Sequence, residues 1–189
     1  GTLQQRSHHE ATHPAVTPNT TLHPRPLRAV RRGVANLLIS VCILDREVLA
    51  KIWRLQVGRI SLYLLDTDTP ENSAEDRLIT AELYGGDLEM RMRQEMVLGI
   101  GGVKALSTLG IEAEVFHMNE GHSAFLSLER IRLRVVDQHL DFYSALQVVA
   151  AANVFTTHTP VPAGNDAFPR EMMKHYCGNF AQQLQVPFD

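Results

Sequence analysis

The hydrophobic positions of the chain follow two periods, one up to residue 65 and another after residue 72. In the first part, β-branched and aromatic residues alternate with polar breaks, as in half-buried strands. The pattern predicts strands over residues 37–44, 48–55 and 59–65, of which the first two form a hairpin through a turn at residues 45–47. The fold therefore begins with a segment rich in β-hairpins.

After residue 72 the apolar residues recur every three or four positions, which is the period of a helix with one buried face. Ser73 followed by Asp76 predicts a short capped helix, and Asp87 predicts the cap of a long helix that stops at Gly110. Three glycines lie inside that long helix, within residues 99–102. They do not follow a strand and lack the G-x-G-x-x-G spacing of a dinucleotide-binding loop, so we expect close packing against another backbone.

Two short strands, at residues 114–118 and 153–157, alternate with three further helices. Asp141 predicts the cap of the helix that precedes the second strand, and the last helix ends near residue 185. This alternation is typical of an α/β fold with a parallel sheet, in which ligands bind beyond the carboxyl ends of the strands.

Composition divides the chain at residue 34. Residues 1–33 hold four prolines and four histidines without a helical or strand period, so residues 1–34 are predicted to be a disordered tail and residues 35–189 the folded domain. Five arginines and one glutamate lie in the tail, while the whole chain has a net charge of -3. The domain is therefore acidic, which excludes nucleic acid and an anionic membrane as expected partners.

The distribution of apolar residues and cysteines indicates a cytoplasmic protein. No apolar run approaches the roughly 18 residues of a membrane span. Cys42 and Cys177 lie far apart and match neither a disulfide framework nor a C-x-x-C metal pattern.

Polar side chains follow both short strands, at the positions where a parallel sheet binds ligands. The set comprises His117, Asn119, Glu120 and His122 after the first strand and His158, Asn165 and Asp166 after the second. Amide, carboxylate and imidazole groups offer the fixed donors and acceptors that a sugar needs, because each hydroxyl both donates and accepts. The same residues could equally cap helices or satisfy the backbone near the turns.

Two other kinds of chemistry have little support. His117 and His122 are five residues apart rather than the four of H-E-x-x-H, which would place them on different helix faces. No metal site is therefore predicted, although a hydrolase metal site built from His117, His122 and His158 remains an alternative. There is no G-x-S-x-G motif and no cysteine near a histidine, so no nucleophile is identified.

The chain contains several ordered motifs, which are V-G-R-I-S-L-Y-L-L-D-T at 57–67, L-Y-G-G-D at 83–87, L-G-I-G-G at 98–102, H-M-N-E-G-H-S-A-F at 117–125 and F-T-T-H-T-P-V-P-A-G-N-D at 155–166. Together they resemble the α-glucan phosphorylase family, in particular its shorter bacterial and archaeal branch. Residues 1–34 show no such resemblance. The resemblance implies part of the Rossmann-like N-terminal domain of a two-domain GT-B glycosyltransferase, whose members use pyridoxal phosphate to phosphorolyse α-1,4-glucans into glucose 1-phosphate.

The resemblance also implies roles for individual residues. His158 would contact the reacting glucose, Asn119, Glu120 and His122 would form a neighbouring wall, and Asp87 would lie on a loop that gates the cleft. Thr159 and Asn165 belong to the same motif as His158 and are expected to bind substrate.

The cofactor lysine and the remaining phosphate ligands belong to a C-terminal domain of the family that this chain lacks, so we expect no independent phosphorolysis. A homo-oligomer is possible for the full-length protein. The alternative function is a standalone carbohydrate-binding or regulatory module without catalysis.

Overall fold

The computed structural model describes residues 27–33, 35–83, 85–158 and 166–188 of the 189-residue chain. Its first half is an antiparallel sheet built on one long strand, β5. In chain order β4 (Leu38–Ile43), β5 (Arg46–Val57) and β6 (Ile60–Asp66) form a meander. Leu44 and Asp45 make the tight turn between β4 and β5 with positive φ angles of 49° and 62°. The predicted hairpin and third strand are confirmed.

Three two-residue strands precede the meander: β1 (Arg28–Ala29), β2 (Arg31–Arg32) and β3 (Ala35–Asn36). β1 pairs with β5, and β2 pairs with β3. The prediction of disorder is therefore wrong for residues 28–32, while residues 1–26 lie outside the described part of the chain. The reason is that β5 continues beyond Lys51, where its pairing with β4 stops. The free backbone of Trp53 and Arg54 there pairs with β1, although the sequence around β1 has no hydrophobic period.

The described residues of the second half form four α-helices and two strands. They are, in chain order, α1 (Leu88–Thr108), β7 (Phe116–Asn119), α2 (Phe125–Gln138), α3 (Phe142–Ala151), β8 (Asn153–Thr156) and α4 (Arg170–Gln183). Asp87 and Asp141 cap α1 and α3 as predicted, since their side chains accept hydrogen bonds from the backbone nitrogens of Met90 and Ser144. No helix within the described ranges is both long and apolar enough to cross a membrane.

The short helix predicted from residue 73 is only a 3-10 turn, Asp76–Leu78. The expected capping contact exists, because the Ser73 hydroxyl accepts a hydrogen bond from the Asp76 backbone nitrogen at 3.1 Å. The Asp76 carboxylate also binds Arg46 at the start of β5, with a shortest distance of 2.7 Å. The segment is thus fixed by contacts to the sheet rather than by helical length.

Helix α1 lies between the antiparallel sheet and α2, and its glycines explain how closely it packs. A Cβ atom at Gly99 would lie 2.6 Å from the backbone nitrogen of Leu126 in α2. A Cβ atom at Gly101 would lie 3.0 Å from Leu65 and 3.2 Å from Val41 of the sheet. The expected close approach of backbones is therefore confirmed at Gly99, where any side chain would force α1 and α2 apart.

Strands β7 and β8 form the predicted parallel pair, in register from Phe116 opposite Asn153 to Asn119 opposite Thr156. The connection between them runs through α2 and α3, and it places the two carboxyl ends side by side. Val154 and Phe155 of β8 remain 48% and 54% exposed. The fold is mixed α/β, which is compatible with part of a Rossmann-like domain.

Candidate functional site

The carboxyl ends of β7 and β8 are joined by one buried carboxylate. Glu120 is 3% exposed, and its backbone nitrogen donates to the Thr156 carbonyl at 2.8 Å. Its carboxylate accepts hydrogen bonds from the Thr157 hydroxyl at 3.0 Å and from the His158 backbone nitrogen at 2.9 Å. The side chain at the end of one strand therefore fixes the backbone at the end of the other.

Glu120 also has an unusual backbone conformation, with φ of 60° and ψ of -174°. Residues other than glycine rarely adopt this region, which costs about 1–3 kcal/mol, and such strain concentrates at functional sites. In this conformation the side chain of Glu120 reaches Thr157 and His158, directly after β8. The hydrogen bonds to these two residues offset the free-energy cost of the strained backbone.

The imidazole of His158 is positioned at both nitrogens. Nδ1 lies 3.0 Å from Oε1 of Glu120, and Nε2 lies 3.0 Å from Oδ1 of Asn119. The side chain of His158 is nonetheless 60% exposed. An oriented but accessible ring is suited to contacting a ligand. We call Asn119, Glu120, Thr157 and His158 the His158 network.

A second group of polar side chains lies beside this network, and we call it the Arg91 cluster. It consists of Arg91, Glu95, His122 and Asp166. Nη2 of Arg91 lies 2.5 Å from Oδ2 of Asp166, 3.2 Å from Nδ1 of His122 and 3.5 Å from Oε1 of Glu95. The cluster thus links α1 to the turn after β7 and to the segment that precedes α4.

The two carboxyl groups of the Arg91 cluster differ in their affinity for protons. Burial raises the pKa of Glu95 to about 8, and the hydrogen bond and negative charge of Asp166 add to the effect. Burial alone would raise the pKa of Asp166 as well, but the hydrogen bond and positive charge of Arg91 hold it below its usual value. The two shifts are opposite in direction, so Glu95 holds a proton more tightly than Asp166 does.

The same carboxyl groups bear on the question of a metal. One oxygen of Glu95, one oxygen of Asp166 and one nitrogen of His122 lie within 4.8 Å of one another, and no other such group occurs in the described part of the chain. Arg91 already contacts all three residues, so its guanidinium takes the place of a cation.

The proposed hydrolase site is not formed, because the three histidines have separate partners. Nε2 of His117 lies 2.6 Å from the Thr156 hydroxyl, while His122 contacts Arg91 and His158 contacts Asn119. The alternative of a metal-dependent hydrolase built from His117, His122 and His158 is therefore wrong.

The other residues expected in the site have different outcomes. Asn119, Glu120 and His158 come together as described, and His122 lies two residues from Glu120 in the neighbouring cluster. The carboxylate of Asp87 caps α1 and is exposed, so its location is known while its role as part of a gate stays a prediction. Thr159 and Asn165 lie outside the described residues.

Sequence reasoning missed Arg91 and Glu95 as members of the site. Both lie on α1, far in sequence from the two strands, and nothing local connects them to His122. A signal did exist, because Glu95 lies directly before Met96 in the apolar stripe of the predicted helix. An acidic residue beside such a stripe, four residues after an arginine, indicates a buried pair rather than a solvated face.

No protein-family model matches the chain. It is 50% identical over 172 residues to the glycogen phosphorylase of Mycobacterium tuberculosis, a match that covers 87% of this chain and 20% of that protein. It is 47% identical over 148 residues to the maltodextrin phosphorylase of Thermococcus litoralis, covering 78% of this chain and 18% of that protein.

A more distant relative is the glycogen phosphorylase of Aquifex aeolicus, which is 37% identical over 134 residues, covering 71% of this chain and 19% of that protein. The 87% of the chain matched in the mycobacterial protein is more than residues 35–189 can supply. The expectation that residues 1–34 show no likeness is therefore wrong in part. The chain belongs to the glycogen and maltodextrin phosphorylase family, and it spans about a fifth of the length of the curated relatives that it matches.

Proposed function

We propose that the His158 network and the Arg91 cluster form one wall of the glucan site of an α-glucan phosphorylase. In the proposed reaction, phosphate attacks C1 of the terminal glucose, the bond from C1 to the α-1,4-linked oxygen breaks, and that oxygen receives the proton that the attacking phosphate gives up. The products are glucose 1-phosphate and a glucan shorter by one unit, so the enzyme is a hexosyltransferase of glycogen or maltodextrin metabolism.

The observation that carries the proposal is the orientation of His158 at the carboxyl ends of a parallel strand pair. Its two ring nitrogens are each 3.0 Å from an oxygen of another network residue, while the ring stays accessible. A glucose unit presents hydroxyl groups that need partners of fixed position. The ring of His158 and the amide of Asn119 hold each other in place until a hydroxyl takes over one of their contacts, so little further ordering is needed on binding. The names of the relatives, glycogen and maltodextrin phosphorylase, agree with such a ligand.

Within this site we assign His158 to the reacting glucose, as the catalytic residue of this chain. Asn119, Glu120 and His122 form the adjoining wall of the substrate site. Asp87 lies before α1, where it gates the cleft. Thr159 and Asn165 complete the substrate contacts on the segment that follows His158.

The family cofactor, pyridoxal phosphate, needs a lysine for its Schiff base, and the lysines of this chain do not fit that role. Nζ of Lys51 binds Asp66 at 3.1 Å, Nζ of Lys104 donates to the Ser40 carbonyl at 2.9 Å, and Lys174 is exposed on α4. None of the described contacts of Asn119, Glu120 or His158 involves a lysine. We therefore assign the cofactor and the phosphate-binding groups to polypeptide outside this chain.

The remaining parts of the proposal follow from the family. The chain would form part of one of the two Rossmann-like domains of a GT-B enzyme, which acts in the cytoplasm. Its partners would be an α-1,4-glucan and phosphate, and the full-length protein would be able to form a homo-oligomer.

The experiment that tests the function measures binding of maltoheptaose to the purified chain by calorimetry. His158→Ala is expected to weaken binding about tenfold or more, since it removes one hydrogen-bonded contact of about 1.4 kcal/mol. His175→Ala is the matched control, because His175 is an exposed histidine of α4 that belongs to neither polar group. Equal affinities of wild type and His158→Ala would contradict the proposal.

A further inference from the structure

The contacts of Arg91 decide where His122 carries its proton. Nη2 of Arg91 lies 3.2 Å from Nδ1 of His122, closer than any oxygen of the cluster that the structure places near that nitrogen. A guanidinium has five N–H donors and no acceptor, so it can bind Nδ1 only through the lone pair of that nitrogen. The proton of the neutral imidazole is then on Nε2, which makes Nε2–H the donor of the ring.

Arg91 also contacts the segment that follows the second strand. Its Nε and Nη2 lie 3.2 Å and 2.5 Å from the same oxygen of Asp166. The side chain of Arg91 is only 12% exposed, so these contacts are shielded from water and are stronger than those of a surface pair. One side chain of α1 thus contacts both the turn after β7 and the segment that precedes α4.

Burial and the neighbouring Asp166 raise the pKa of Glu95 to about 8, which favours its protonated, uncharged form at pH 7. Were both carboxyl groups ionised, His122 would lie between two negative charges and would be drawn to place a proton on Nδ1. The groups that face Glu95 are Arg91 of its own helix, His122 from the turn after β7 and Asp166 from the segment before α4. With a proton on Glu95, the one positive charge of Arg91 is balanced by the one negative charge of Asp166.

We propose that Arg91 is a positioning residue of the glucan site, which fixes His122 as the Nε2–H tautomer and links the segment after His158 to α1 through Asp166. The inference rests on the proposed function, since it concerns residues of the same wall. It adds to that function a residue that fixes which ring nitrogen of His122 donates a hydrogen bond and which accepts one. It also assigns a role to Glu95, whose proton leaves Arg91 and Asp166 as one positive and one negative charge.

The tautomer is tested first, in the absence of sugar, by ¹⁵N NMR of the His122 ring in the purified chain at pH 7. The wild-type protein should show an unprotonated Nδ1 and a protonated Nε2. In Arg91→Met the proton should move to Nδ1, which then faces the oxygens of Glu95 and Asp166 at 3.5 Å and 4.0 Å. Arg91→Lys, which keeps a charged donor, should retain the wild-type pattern.

Two controls keep the tautomer test decisive. Glu129→Gln alters another buried carboxylate, paired with Arg132 at 2.7 Å, and should leave the His122 signals unchanged. In the wild-type protein the pattern should be lost as the pH rises through about 8, whereas in Glu95→Gln it should persist. A protonated Nδ1 in the wild-type protein, or an unchanged pattern in folded Arg91→Met, would overturn the proposal. If Arg91→Met does not fold, the wild-type spectrum at pH 7 still decides, because the contact of Arg91 with Nδ1 requires that nitrogen to be unprotonated.

Binding of maltoheptaose tests the link to function. Arg91→Met should raise the Kd about tenfold at pH 7, and the wild-type Kd should rise by a similar factor between pH 7 and pH 9 while that of Glu95→Gln stays constant. A change of tautomer without any change in Kd would reject Arg91 as a positioning residue. Absence of sugar binding by the wild-type protein would instead reject the proposed function, and the NMR result would still report on the cluster.

Discussion

Glu120 and His158 are joined at two points, because Oε1 of Glu120 lies 2.9 Å from the backbone nitrogen and 3.0 Å from ring Nδ1 of His158. The same carboxylate orients the side chain and fixes the main chain from which it projects. Loss of Glu120 should therefore affect both the stability of the protein and the placement of the His158 ring.

We expect Glu120→Ala to lower the free energy of unfolding by about 2 kcal/mol, since the part-buried hydrogen bonds from the Thr157 hydroxyl and the His158 backbone nitrogen to its carboxylate are lost. Maltoheptaose binding should weaken in the same variant, even under conditions where it remains folded. Urea denaturation and calorimetry measure the two effects. Glu112→Ala, at an exposed position between α1 and β7, serves as the control and should change neither. A stable Glu120→Ala protein with unaltered affinity would refute the assignment.

The two glycines Gly99 and Gly102 of α1 should respond to alanine in opposite directions. Gly99→Ala should reduce stability by about 1–3 kcal/mol, because its Cβ would lie 2.6 Å from the backbone of α2 and the helices would have to separate. Gly102→Ala meets nothing within 4 Å and should raise stability by about 0.5–1 kcal/mol through helix propensity. Chemical denaturation of both variants checks this, and a shared sign would show that the packing of α1 is described wrongly.

The raised pKa of Glu95 predicts how stability depends on pH. The folded protein keeps a proton on Glu95 up to about pH 8, whereas the unfolded chain releases it near the ordinary value of 4.5. This contribution to stability is therefore complete below about pH 4.5 and is lost as the pH rises towards 8.

Comparison with Glu95→Gln isolates that contribution, because glutamine resembles the protonated acid and does not titrate. The free energy of unfolding of the wild-type protein should fall relative to that of Glu95→Gln between pH 5 and pH 8, and the difference should level off above pH 8. Urea denaturation at intervals of one pH unit measures it. A difference that is the same at every pH would rule out a buried, protonated Glu95.

The purified chain should release no glucose 1-phosphate from maltodextrin and phosphate, with or without added pyridoxal phosphate. The reason is that Lys51 and Lys104 are engaged elsewhere and no lysine contacts the His158 network among its described partners. A coupled assay for glucose 1-phosphate measures this, and the full-length mycobacterial relative is the positive control. Product formed by the chain itself would contradict the expectation.

The parts of the fold that sequence predicts well are those fixed by neighbouring residues. The hairpin and third strand follow from alternating apolar residues, and the caps at Asp87 and Asp141 follow from side chains that bind the backbone three residues later. The parallel order of β7 and β8 follows from the helices between them, because such a connection favours parallel strands.

The parts that sequence does not predict depend on distant partners. β1 pairs with β5 only because β5 extends beyond β4, and Arg91 reaches His122 only because Gly99 lets α1 approach α2 closely. In α3, Ala145 and Val149 are buried, while Leu146 is 37% exposed. The periodicity of α3 predicts which side of the helix is buried, but the number of buried residues depends on how much of α2 packs against that side.

The two apolar residues of β8, Val154 and Phe155, are about half exposed, so little hydrophobic burial stabilises the strand whose end carries His158. Local opening is easiest where few apolar contacts must be broken. Amide hydrogens of β7 and β8 should therefore exchange with solvent faster than those of β5, which lies between β4 and β6. A sugar that binds only when β7 and β8 are paired would slow the exchange of their amide hydrogens, because binding stabilises the paired state.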